Sequence, residues 1–81
     1  MKGLKKVLDS LSESLENYRE AEDGFQKNLF ASEVYATLKT LERLELVPES
    51  AVAEAMEQLP EMTTKQKTKQ VFNKLKSSIS G

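Results

Sequence analysis

Apolar side chains recur every three or four positions through the first part of the chain. The series is Leu4, Val7, Leu8, Leu11, Leu15 and Tyr18. On an α-helix this spacing places all of them within an arc of about 100°. The pattern predicts a helix over residues 4–20 with one apolar face. No later segment shows the alternation of apolar and polar residues that is typical of a half-buried strand.

Prolines and a capping signature divide the remainder of the chain. Pro48 suits the first turn of a helix and Pro60 interrupts one, because proline has no backbone N–H to donate. Thr63 followed by Gln66 matches the capping box that begins a helix. The predicted helices are therefore 4–20, 25–46, 49–59 and 64–78.

These helices predict an all-α fold, a small four-helix bundle-like domain with short connections. The 81 residues suffice for one domain, which would span 1–81 with a tail that frays from about residue 78. The boundary between the first two helices has two interpretations. Gly24 can end helix 1 by adopting a left-handed conformation, or the apolar series can continue through Phe25 and Leu29 as one long helix.

The residue types present argue against catalysis. The chain has no histidine and no cysteine, so the usual general base, zinc ligand and thiolate nucleophile are missing. Acid–base catalysis needs a carboxylate in an apolar pocket, whereas the carboxylates of this chain fall on predicted outward faces of helices, exposed to water. We expect no enzyme activity, no cofactor and no bound metal.

The amino-terminal segment lacks the pattern of a targeting or membrane-spanning sequence. Its lysines are typical of a secretory signal, but Asp9 and Ser10 end the apolar run immediately after Leu8. No other segment is apolar over the length needed to span a membrane. We expect a cytoplasmic protein without a membrane span.

Charge is divided unevenly along the chain. Residues 62–81 carry five lysines and no acid, whereas residues 7–61 carry all thirteen acids and four bases. On helix 4 the lysines flank the apolar face as two stripes, with amides between them on the outer face. The predicted surface for an anionic partner consists of Lys65, Gln66, Lys67, Lys69, Gln70, Asn73, Lys74 and Lys76.

Two kinds of partner fit this lysine and amide surface. Amides can bond adenine edges while lysines neutralise phosphates, so helices 3 and 4 could act as a DNA-binding helix-turn-helix. The net charge of −1 and the absence of arginine from helix 4 favour an acidic protein surface instead.

A second candidate surface is apolar. The heptad spacing of helix 1 resembles a coiled-coil seam. Phe25 and Leu29 point away from the main apolar face of helix 2, where they either cover helix 1 or form an exposed patch. Since so short a chain builds a thin core, we expect a homodimer or another protein to cover this surface. Its residues are Leu4, Leu8, Leu11, Leu15, Tyr18, Phe25 and Leu29.

Together these features predict a small non-catalytic helical regulator or adaptor that acts by protein–protein binding, as an inhibitor or antagonist would. The alternative is a small DNA-binding transcriptional regulator that reads DNA through helix 4. An immunity-type protein is a further alternative, compatible with the size and helical content of the chain.

Overall fold

A computed structural model describes residues 2–79 and contains, within that range, four α-helices and no strand. The helices are α1 (Lys2–Glu20), α2 (Gly24–Arg43), α3 (Glu49–Gln58) and α4 (Lys65–Ser78), with one 3-10 turn, Leu59–Glu61, directly after α3. α1 packs against α2 and α4, and α3 packs against the same two helices. The predicted all-α bundle of four helices is confirmed.

The core forms where the apolar stripes of the helices meet. Leu11 and Leu15 of α1 and Val34, Leu38 and Leu41 of α2 expose at most 1% of their surface. The other side of the core is closed by Val47, Val52, Ala55, Leu59, Met62, Val71 and Leu75. Burial of one such side chain contributes about 1.5–3 kcal/mol. The apolar stripe of α1 is therefore covered by the rest of the chain itself.

The chain turns between α1 and α2, so the alternative of one long helix through Gly24 does not form. Asp23 caps α2, because its backbone is extended and its carboxylate accepts the Gln26 N–H at 2.7 Å. Gly24 is the first residue of α2, and a Cβ there would meet no atom within 4 Å. An aspartate cap on α2 thus makes the break, in place of the left-handed glycine predicted for α1.

α2 ends three residues before its predicted end at residue 46. The Glu45 N–H donates to the Glu42 carbonyl at 2.9 Å, and the Leu46 N–H donates to the Leu41 carbonyl at 3.0 Å. These two bonds form a Schellman motif with Glu45 in the left-handed conformation, φ 60°. Glycine normally occupies that position, so the sequence carried no signal for this helix end.

The connection from α3 to α4 is a helical turn followed by a new cap. Leu59 keeps a helical backbone despite the proline that follows it, and the 3-10 turn places Met62 in the core. The Thr64 hydroxyl accepts the Lys67 N–H at 3.1 Å, so the cap of α4 lies one residue after the predicted Thr63. The sequence predicts that the tail frays from about residue 78; Ser78 is the last residue of α4 and Ile79 is its C-cap, while residues 80–81 lie outside the described residues.

Candidate functional site

The outer face of α4 presents all the lysines and amides that the sequence pattern indicated. Thr68, Val71 and Leu75 face the core, which turns the opposite side of the helix to solvent. The exposed side chains, here called the α4 basic face, are Lys65, Gln66, Lys67, Lys69, Gln70, Asn73, Lys74 and Lys76.

Within residues 2–79, most of these lysines have no carboxylate as a direct partner. Lys74 forms an ion pair with Glu54 of α3. The Nζ of Lys76 lies 5.6 Å from the centre of the Phe72 ring, within the range of a cation–π contact. No other lysine of α4 has a carboxylate within 4.0 Å in the described part of the chain.

The start of α4 concentrates positive charge. Its first turn carries no acid, whereas Lys65, Lys67 and Lys69 all lie within the first five residues of the helix. The macrodipole adds a partial positive charge at the same end, so each exposed lysine there costs about 0.3–1 kcal/mol. A negatively charged partner would relieve that repulsion.

Acidic residues border the α4 basic face on both sides. Glu16 of α1 shares a groove with Lys65 and Lys69, and Glu61 shares another with Lys67. Neither glutamate comes within 4.0 Å of a lysine of α4 among the described residues. These glutamates lower the positive potential beside each lysine stripe without pairing directly with its lysines.

α3 and α4 form an antiparallel hairpin. Gln58, at the end of α3, lines a groove with Lys67 near the start of α4. Ala51, near the start of α3, lines a groove with Ser78 at the end of α4. The Lys74–Glu54 ion pair joins the same two helices.

The predicted apolar surface of α1 lies mostly inside the protein. Leu11 and Leu15 are fully buried, while Leu4 and Tyr18 are half-buried and pack against the core. Leu8 is half-buried at the edge of this stripe. This corrects the predicted partner surface, since α2 and α4 cover Leu11 and Leu15 in the folded chain.

The solvent-exposed part of the predicted apolar surface lies on α2. Phe25 is 79% exposed and Leu29 is 50% exposed, so they form an exposed patch and do not cover α1. Ser32 and Ala36 continue at the same helical spacing, are also exposed, and carry no charge. We call these four residues the α2 outer face. The sequence interpretation missed Ser32 and Ala36, although the spacing of four, three and four could have found them.

A lysine fixes the start of α2 against the end of α1. The Nζ of Lys27 donates to the Tyr18 carbonyl oxygen at 3.2 Å and lies 4.7 Å from the centre of the Tyr18 ring. With Lys27 turned toward α1, Phe25 points the opposite way on the helix. Near the other end of α2, a hydrogen bond to Glu42 raises the pKa of Lys39.

Neither a metal-binding cluster nor a membrane-spanning helix occurs among the described residues. None of the described acidic side chains gather in a group of three or more that could hold a metal ion. The helices formed by residues 2–79 are too short or too polar to cross a membrane.

Comparison of the chain with protein-family models, with curated proteins and with solved structures finds no match. The fold and its surfaces define a class: a small all-α bundle that exposes a basic face on one helix and an apolar face on another.

Proposed function

We propose that this chain is a small non-catalytic helical protein that regulates or links another protein by binding an acidic surface of it through the α4 basic face. The supporting observation is that Lys65, Lys67 and Lys69 are exposed and have no carboxylate within 4.0 Å in the described chain. Inhibitors, antagonists and immunity-type proteins can all act through such a contact.

The positive charge of the α4 basic face favours electrostatic steering of an acidic partner toward it. Exposed lysines attract an acidic surface over about a Debye length, roughly 8–10 Å at physiological salt. Such attraction raises the association rate more than it lengthens the life of the complex. Long lysine stems also adapt to different spacings of carboxylates, so the face does not require one exact partner geometry.

Capture from native lysate, with and without nuclease, tests the kind of partner. The proposal predicts that the full chain retains a protein after nuclease treatment, and that raising the salt concentration releases it, because salt screens exposed charges. Capture that disappears on nuclease treatment would show a nucleic-acid partner. Absence of any salt-sensitive capture would contradict the proposal.

DNA binding is the second candidate, because Gln66, Gln70 and Asn73 are exposed between the lysine stripes. Amides in that position could bond base edges. If α4 reads DNA, Gln70→Ala should reduce discrimination between sites by about 1–3 kcal/mol. Lys67→Ala should instead weaken binding to every duplex and flatten its salt dependence. Binding titrations with two unrelated duplexes separate these outcomes.

A further inference from the structure

The α2 outer face continues into two long basic side chains. After Phe25, Leu29, Ser32 and Ala36, the same three- and four-residue spacing leads to Lys39 and Arg43. This side of α2 thus carries exposed large apolar side chains at its start and small ones in its middle. At its end it carries the aliphatic stems and charged tips of Lys39 and Arg43. If two copies of this face pack antiparallel, the large apolar side chains of one copy meet the long basic side chains of the other, and the small side chains meet in the middle.

We propose that a second copy of this chain covers the α2 outer face, with the two α2 helices packed antiparallel about a two-fold axis between Ser32 and Ala36. Each copy then contributes the same surface, as a two-fold interface requires. In this register Ser32 meets Ala36 of the second copy. Leu29 meets Lys39 of the second copy, and Phe25 meets its Arg43.

The size of the side chains supports this register. Small residues at the axis let the two helices approach to the usual interaxial distance of about 8–10 Å. On either side of the axis, the stems of Lys39 and Arg43 can cover Leu29 and Phe25. The guanidinium of Arg43 suits the face of the Phe25 ring, since arginine stacks on aromatic side chains.

Charges at the two ends of the face favour the antiparallel orientation, although this orientation also brings the exposed Glu33 near Glu33 of the second copy beside the axis. Glu22, which precedes α2, is exposed and lies less than one turn from Phe25, so it would come close to Arg43 of the second copy. A parallel arrangement would place Arg43 beside Arg43 and Glu22 beside Glu22. Lys39 already donates to Glu42 of its own helix at 2.6 Å, so its stem can cover Leu29 without leaving its charge unpaired.

The small area predicts a weak dimer. α2 has 20 residues, which gives a contact strip about 30 Å long and about 10 Å wide. A standard interface buries about 800 Å² on each partner. The proposed contact is smaller, so we expect a dissociation constant on the order of tens of micromolar.

Sedimentation equilibrium of the full chain tests the surface. Ala36→Glu places two glutamates beside the axis and should raise the dissociation constant at least about tenfold. Ala53→Glu is the matched control, because Ala53 is an exposed alanine inside α3 and away from the α2 outer face; it should leave the constant nearly unchanged. Circular dichroism checks that both variants keep the helical content of the parent.

A charge exchange tests the register. Arg43→Glu and Glu22→Arg should each weaken the dimer, and the double variant should restore it. A dimer that is unaffected by Ala36→Glu, or a pair of weakened single variants that fails to recover in the double variant, would overturn the proposal. So would a wild-type chain that stays monomeric up to about 1 mM, which would leave the face to solvent or to another protein. Lys65→Glu should not alter the dimer, so failure here leaves the proposed role of α4 untouched.

Discussion

Lys74 and Glu54 form an ion pair that joins α4 to α3 across 20 positions of the chain. Both side chains are about half exposed, so water and salt screen their attraction. We predict a coupling free energy of about 0.2–1 kcal/mol from a double-mutant cycle of Lys74→Ala and Glu54→Ala in urea unfolding. The coupling should shrink at high salt, and a value well above this range would show that the pair is sheltered from solvent.

Leu11 is the most direct probe of the core. It is fully buried, so Leu11→Ala should lower the free energy of unfolding by about 2–5 kcal/mol, through lost transfer energy and a residual cavity. Leu44→Ala removes the same atoms from an exposed position and should change stability by less than about 0.5 kcal/mol. Equal effects in the two variants would contradict the burial of the α1 stripe.

The sequence predicted the α1 stripe but not what covers it. Three- and four-residue spacing reports which residues share a face and is silent about whether the chain or a second copy packs on it. The burial of Leu11 and Leu15 depends on α2 and α4 folding back over α1. Local spacing cannot show such a long-range relationship.

Replacing Glu45 by glycine should stabilise the fold, whereas the substitutions above destabilise it. The φ of 60° at Glu45 costs a non-glycine residue more than glycine. Glu45→Gly should raise the free energy of unfolding by up to about 1 kcal/mol. Glu33→Gly removes the same charge from the interior of α2 and should instead lower it by about 1 kcal/mol. Thermal unfolding of both variants checks the pair of signs, and a loss of stability in Glu45→Gly would contradict the Schellman geometry.

Asp23 tests the boundary between α1 and α2. Its carboxylate accepts the Gln26 N–H at 2.7 Å, so Asp23→Ala should cost about 0.5–2 kcal/mol of stability. Asp23→Asn keeps an oxygen acceptor at the cap and should retain most of that free energy. If the two variants were equally destabilised in urea unfolding, the cap would not be what holds this end of α2.

The sequence predicted those features of the candidate sites that depend on the cost of burying a single side chain. The exposure of Lys65 and Lys69 could be predicted, because lysine is almost never fully buried without a partner. The pairing of Lys74 with Glu54 could not, since it depends on α3 lying antiparallel to α4. The α2 outer face was only half recognised, because Ser32 and Ala36 carry no hydrophobic signal and matter only through their position.

The most direct test of the proposed function is partner capture by charge-reversed variants of the full chain. Lys65→Glu/Lys69→Glu reverses the charge of one lysine stripe of the α4 basic face, and Lys5→Glu/Lys6→Glu makes the same change in net charge at exposed positions of α1. We predict that the first double variant loses the nuclease-resistant, salt-sensitive protein partner and that the second retains it. Equal loss in both variants, or retention of the partner by Lys65→Glu/Lys69→Glu, would contradict binding through α4.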